Sequence, residues 1–183
     1  MSGLTLARLR RIASAASGRE RRLAIVTGED GRRWAAWPYG CIELDDQRHA
    51  WLESPADGCY RWRADGLALV ECEPAFNPCL VRREMLPLLA APSRVSVVPL
   101  RWMHEDGTHV RRLLERSDGL CTVVDADLWR HWTAAMDGTI WQVGGRHGWL
   151  VWASSETEPG VAGLGPVHAN VAPLRPELPE MTV

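Results

Sequence analysis

Five tryptophans fall between residues 123 and 153, in "VVDADLWRHWTAAMDGTIWQVGGRHGWLVWA". Indoles at that density are either packed inside or shown to a partner, and their spacing decides between the two. Asp125 is a good N-cap for a helix "ADLWRHWTAAM", which Asp137-Gly138 ends. Trp129 and Trp132 are three apart and share one face of that helix. "TIWQV" and "WLVWA" read as strands joined by a tight "GGRHG" turn. Strand alternation puts Trp141 with Val143 on one face, and Trp149 and Trp152 on opposite faces. The rings therefore form no continuous ladder. A helix laid across the hairpin would absorb Trp129, Trp132, Trp141 and one of the last two, so the expectation is a core with at most one ring outside.

Sliding the chain by 117 positions superposes this unit on the N-terminal one without a gap. Ile12 falls on Trp129, Ala15 on Trp132, Ala24 on Trp141, Val26 on Val143, Gly28 on Gly145, Gly31 on Gly148 and Ala36 on Ala153. Apolar positions keep their phase and turn glycines match turn glycines, the signature of an internal duplication. Units that each expose one apolar face pack against one another.

The first unit opens with a helix capped by Ser2 or Thr5, with Leu6, Leu9, Ile12, Ala13 and Ala16 at helical spacing. "RRLAIVTGEDGRRWAAW" then reads as two strands around an Asp-Gly turn. Residues 38–92 are strand-rich with frequent turns. "EMLPLLAAPS" is too proline-rich for a long helix and reads as a connection. "SRVSVVPLRW" is a strand that Pro99 demotes toward an edge. "HVRRLLERSDG" reads as a short helix or turn, and "LCTVV" as a strand. The expected architecture is α+β: duplicated helix-plus-antiparallel-sheet units, one over residues 1–92 and one over 93–183.

Composition narrows the chemistry. The 183 residues are 46% hydrophobic and 24% charged, as in a globular protein with a sizeable core. No apolar run reaches the roughly 20 residues of a membrane span, and the N-terminus lacks a signal-peptide core. A cytoplasmic protein is expected. The chain has no lysine, which excludes a P-loop lysine, Schiff-base chemistry and a lysine base. A net charge of −2 excludes nucleic-acid binding by overall charge, leaving only a locally basic face.

Cys41, Cys59, Cys72, Cys79 and Cys121 form no CxxC pair and read as free thiols rather than a disulfide framework or zinc site. The six histidines, His49, His104, His109, His131, His147 and His168, sit in no local nucleophile signature. His104-Glu105-Asp106 with His109 is the densest set of potential metal ligands, but it lacks a zincin spacing and resembles a polar turn. Asp45-Asp46, Asp125-Asp127 and Glu156-Glu158 are explained as turns, caps or solvated loops. The glycine-rich stretches at 144–145 and 160–165 are not strand-to-helix phosphate loops. No enzyme signature and no cofactor site emerges. A site assembled only in three dimensions stays open.

Arginine placement is the remaining signal. Arg8, Arg10 and Arg11 fall on the first helix, Arg111, Arg112 and Arg116 on the middle one, and Arg130 on the last. Helices in register would make them a phosphate-binding stripe; the plain alternative is solvated helix faces partnered by Glu20, Glu115 and Asp127.

Arginine-bearing helices, each followed by antiparallel strands and duplicated, resemble the DNA polymerase sliding clamp. The end of the chain, "DADLWRHWTAA…IWQVGGRHGWLVWA…GPVHANVAPLRPE", is similar to the last part of bacterial-type clamps, with Val171-Ala172-Pro173-Leu174-Arg175 in place of the closing strand. "LAIVTGEDGRRWAAWPYGCIEL" looks like the strands around a clamp's "ATDGHRLA", with Tyr39-Gly40 for Asp-Gly. The chain is about half as long as a bacterial clamp. The resemblance implies a non-catalytic replication accessory that self-assembles around double-stranded DNA, its arginines on phosphates. It also implies a polymerase-type partner peptide seated beside Pro173, Leu174 and Arg175, with Trp152 as a pocket wall. The alternative is a β-rich protein-interaction module, of phage or defence-system inhibitor type, without DNA binding.

Overall fold

The computed structural model describes residues 10–12, 22–44, 56–63, 66–90, 93–106, 109–134, 136, 138–144 and 147–169. Within them the chain forms eleven strands: β1 Arg22–Thr27, β2 Arg33–Trp37, β3 Gly40–Leu44, β4 Gly58–Arg63, β5 Gly66–Val70, β6 Arg94–Asp106, β7 His109–Arg116, β8 Cys121–Asp125, β9 Thr139–Val143, β10 His147–Ala153 and β11 Ala162–Ala169. All belong to one sheet of order β10-β9-β6-β7-β8-β11-β3-β2-β1-β4-β5, antiparallel throughout.

β10 also pairs with β11, so β6, β7, β8, β11, β10 and β9 close on themselves. β11 manages both roles by dividing one of its edges: Ala162–Leu164 pair with β3, while His168 and Ala169 pair with β8. From β3 the sheet continues outward to β5, its outer strand.

Two helical segments cover the sheet. The first, α1, runs through Pro78–Leu80, Val81–Met85 and Leu86–Leu89. Asn77 caps it, its side-chain oxygen accepting from the Leu80 amide at 3.1 Å. Its middle turn is a π-turn in which the Leu86 N–H reaches back to the Val81 carbonyl. Pro87 follows and has no N–H to continue an α-helical ladder, so the turn widens instead of breaking. The second, α2, is Ala126–Thr133, where Asp125 accepts from the Asp127 and Leu128 amides at 3.0 and 2.9 Å. Residues 10–12 are also helical, and Ile12 is fully buried.

The core divides by strand parity. On one face Leu23, Ile25, Ala35, Trp37, Ile42, Tyr60, Trp62, Leu150, Trp152 and Leu164 pack with Ile12 and the Trp129 and Trp132 of α2. On the other, Ala24, Val26, Trp34, Ala36, Cys41, Val143, Trp149 and Val151 pack under the Val81, Met85 and Leu89 of α1. Trp132 meets Trp37 edge-on at 5.9 Å, and Trp129 lies 6.2 Å from Trp152. Of the five clustered tryptophans only Trp141 stays partly exposed.

The expected α+β architecture of duplicated helix-plus-sheet units, clamp-like, is corrected: the described residues are predominantly strand in a single sheet. Three segments account for the difference. "HVRRLLER" is β7, because its backbone is paired on both sides by β6 and β8, and those two ladders override helical propensity. His104, Glu105, Asp106 and His109, expected in a polar turn, pair within the β6–β7 ladder. "EMLPLLAAPS" is helical up to Leu89 rather than a plain connection. Pro99 is tolerated because pairing with β9 has ended at Ser96, leaving one side of β6 free of that strand.

What does repeat is a three-strand meander, and its correspondence is not gapless. Val26 faces Trp34 between β1 and β2, and Val143 faces Trp149 between β9 and β10. The first strands keep the offset of 117, but Trp34-Ala35-Ala36-Trp37 falls on Trp149-Leu150-Val151-Trp152, since the second turn is two residues tighter. Third strands follow, with Trp37 opposite Gly40 and Trp152 opposite Ala162. Between the meanders Ile42 pairs with Ala162, Cys41 with Gly163 and Gly40 with Leu164. Exchanging the meanders leaves that pairing unchanged, so a local two-fold relation runs through Cys41 and Gly163.

Candidate functional site

The arginines singled out from the sequence divide into two groups. Arg10 and Arg11 are exposed on residues 10–12, with the Arg10 guanidinium 5.3 Å over the Trp62 ring. Arg130 is exposed on α2 and donates to Asp127 at 2.9 Å. Arg11 and Arg130 both bear on His131: burial first, then these two cations, lower its pKa below 6.5, against the opposing pull of Asp127. Arg111, Arg112 and Arg116 are not on a helix but on β7, where neighbouring residues alternate faces. Arg116 is held by Asp118, with Nε donating to Oδ1 at 2.9 Å. A stripe of seven arginines along parallel helices is therefore not formed. Arg8 lies outside the described residues.

The expected partner pocket is also revised. Trp152 is 1% exposed and sits against Trp129, so its ring is core and walls no surface pocket. Pro173, Leu174 and Arg175 lie outside the described residues. No helix among the described residues is long and apolar enough to cross a membrane. Nor does any group of three potential metal ligands occur among them.

Two features were missed in the sequence. The first is the outer strand β5, "GLALV", which carries no charge and, among the described residues, is paired only to β4. Leu67 and Leu69 share the face of Trp62 and Tyr60, and Leu69 is 70% exposed. A charge-free outer strand with an exposed leucine is the arrangement that accepts a further strand. The second leucine of L-A-L was readable as strand, but its edge position was not.

The second is a cleft of about 290 Å³ between the β1–β2 turn and α1, lined by Gly28, Glu29, Asp30, Arg32, Trp34, Arg82, Leu86, Pro87 and Ala90. Arg32 Nε donates to Asp30 at 2.6 Å, its Nη1 to Glu43 at 3.2 Å, and its guanidinium lies 5.0 Å over the Trp34 ring. The Arg32 side chain holds the Asp30 carboxyl below its ordinary 3.8 despite partial burial. Arg82 Nε donates to the Thr27 carbonyl at 2.9 Å, and its Nη2 to Asp57. Asp57 in turn accepts from the Thr27 amide at 3.0 Å and hydroxyl at 2.7 Å. Burial raises the Asp57 pKa, but the Thr27 and Arg82 bonds together outweigh it and leave it below 3.8.

The cysteines are not all free. Cys59 and Cys72 form a disulfide with Cα atoms 5.3 Å apart, while Cys41, Cys79 and Cys121 are thiols. Cys59 stands opposite Val70 in the β4–β5 pair, and Cys72 follows Val70 by two, which brings the sulfurs together. A 13-residue spacing does not reveal that register.

In comparisons with known proteins, no family model, no curated protein and no solved structure matches this chain.

Proposed function

We propose that this chain is a non-catalytic protein-interaction module that pairs through β5, with a second copy of itself as the partner its edge fits best. The observation that carries this reading is the β5 edge itself. Its sequence is nearly symmetric about Ala68. Antiparallel addition of a second β5 sets Leu67 beside the partner copy's Leu69 on the face that Trp62 and Tyr60 already occupy. Cross-strand apolar pairs of this kind contribute about 0.2–1 kcal/mol each, beside the main-chain bonds. No charge on either strand opposes the approach.

Sedimentation equilibrium tests it. The native chain is expected to dimerise with concentration, and Leu69→Lys, a change at an exposed position, to be monomeric with unaltered circular dichroism. A native chain that stays monomeric at every concentration rules the reading out.

Contact with double-stranded DNA is the second reading, favoured by Arg11 and Arg130, both exposed on helical residues. It requires salt-sensitive binding to a labelled duplex that the double change Arg11→Gln with Arg130→Gln weakens. Fluorescence anisotropy that is indifferent to both salt and that double change excludes it.

A further inference from the structure

We propose that the Cys59–Cys72 bridge gates the pairing through β5: closed, it seats β5 as an edge strand, and a dithiol that opens it releases the strand and parts the copies. The gate presupposes the pairing through β5.

The local two-fold shows what β5 lacks. Outward from Cys41 and Gly163, one half of the sheet runs β3-β2-β1-β4-β5 and the other β11-β10-β9-β6-β7. Each half contributes five strands, and β8 alone among the eleven described strands has no counterpart. Ala24 faces Cys59 as Trp141 faces Ser96, and Tyr60 faces Leu69 as Val97 faces Arg116. In that register β7 is the counterpart of β5, and Leu114 of Leu67. The outer edge of β7 is covered by β8, and Leu114 is fully buried. The same edge of β5 carries no strand among the described residues, and no residue of β5 is buried.

The open half has a covalent bond instead. Ser96, the counterpart of Cys59, accepts a backbone hydrogen bond from the Ser117 amide at 2.9 Å. Cys59 is joined to Cys72, two residues past the end of β5, so the whole strand lies inside the loop that the bridge closes. Otherwise β5 is held by the β4 ladder and, past the bridge, by the Arg22–Glu73 ion pair. Exposed pairs of that kind hold weakly. An outer strand with one ladder and no buried residue opens at low free-energy cost. The bridge removes the states in which its end has left β4.

Access to the bridge is one-sided, because Cys72 is exposed and Cys59 buried. A dithiol's thiolate therefore attacks Cys72 Sγ and breaks the S–S bond. The mixed disulfide forms at Cys72, and Cys59 leaves as a thiolate that takes up a proton. The reductant's second thiolate then displaces Cys72, which is protonated in turn, and the reductant departs as a cyclic disulfide. Two electrons and two protons pass to the protein. Pairing then weakens with the fraction of chains whose β5 is seated. Both copies must present the strand, so a β5 seated about a third of the time weakens pairing about tenfold.

Sedimentation equilibrium of the Cys79→Ser chain, with and without dithiothreitol, tests the gate. Removing that exposed thiol keeps intermolecular bridges from mimicking pairing. The oxidised chain is expected to dimerise, and the reduced chain to do so about tenfold or more weakly. Hydrogen exchange read by mass spectrometry is expected to rise on reduction in β5 and to stay unchanged in β2 and β3. Equal dimerisation with and without reductant, or unchanged exchange in β5, overturns the gate and leaves the pairing standing. A rise throughout the sheet, the mark of general unfolding, also overturns the gate alone. An oxidised chain that stays monomeric overturns the pairing, and the gate with it.

Discussion

Gly40 on β3 lies directly beneath the indole of Trp132: a Cβ built on it would stand 2.4 Å from Cζ2 of that ring and 2.6 Å from the Gly163 carbonyl oxygen. The ring and β11 thus both close on a backbone that has no side chain there. Gly40→Ala is expected to destabilise the chain by about 1–3 kcal/mol, the range for overpacking a filled core, because the carbonyl is backbone and cannot swing aside. Urea denaturation followed by tryptophan fluorescence measures it, and an unchanged midpoint refutes the packing described.

The Cys59–Cys72 bridge closes a loop of 13 residues and ties the chain after β5 back to β4. In the chain-entropy account a loop of this size contributes about 3 kcal/mol. The double change Cys59→Ser with Cys72→Ser should therefore lower the urea midpoint. Added reductant should do the same to the native chain and leave the double variant unaffected.

Asp57 links β1, β2 and α1 through Thr27, Arg33 and Arg82. Its folded pKa lies below the ordinary 3.8, so the folded state favours the charged carboxylate. The stabilisation it supplies is complete above 3.8 and is lost as pH falls through the lower, folded value. Asp57→Asn should be less stable than the native chain at neutral pH, and the gap should narrow on acidification. Stability curves that stay parallel into that acid range contradict the assignment.

Burial pushes the Cys41 thiol up to about 12, whereas Cys79 is exposed. With thiol reagent at mildly alkaline pH, Cys79 is expected to react at once and Cys41 only after unfolding. Cys79→Ser should then abolish the fast phase. Rapid labelling of Cys41 in the folded chain would be incompatible with its place on the local two-fold between β3 and β11.

Much of the second half was legible locally. The Asp125 cap, the helix with Trp129 and Trp132 on one face, and the two strands that follow are set by neighbours within a few residues. The meander repeat was legible only in part. Its first strand keeps the gapless offset, but a turn two residues tighter moves Trp149, not a later residue, onto Trp34. Neither candidate site could be read this way. Leu69 looks like any strand leucine until the sheet order leaves β5 outermost. Trp34 looks like core, and the cleft it lines exists only once α1 packs beside the β1–β2 turn.

From the amino-acid order alone came the strand and helix periodicities, the caps, the absence of lysine chemistry and the burial of most indoles. All of these depend on contacts between residues close in the chain or on composition. The tertiary structure alone decided that "HVRRLLER" is a strand, which cysteines bond, that β10 closes onto β11 and which strand lies outermost among the described residues. Those outcomes rest on backbone hydrogen bonds between segments far apart in the chain, whose register is chosen by the whole sheet at once.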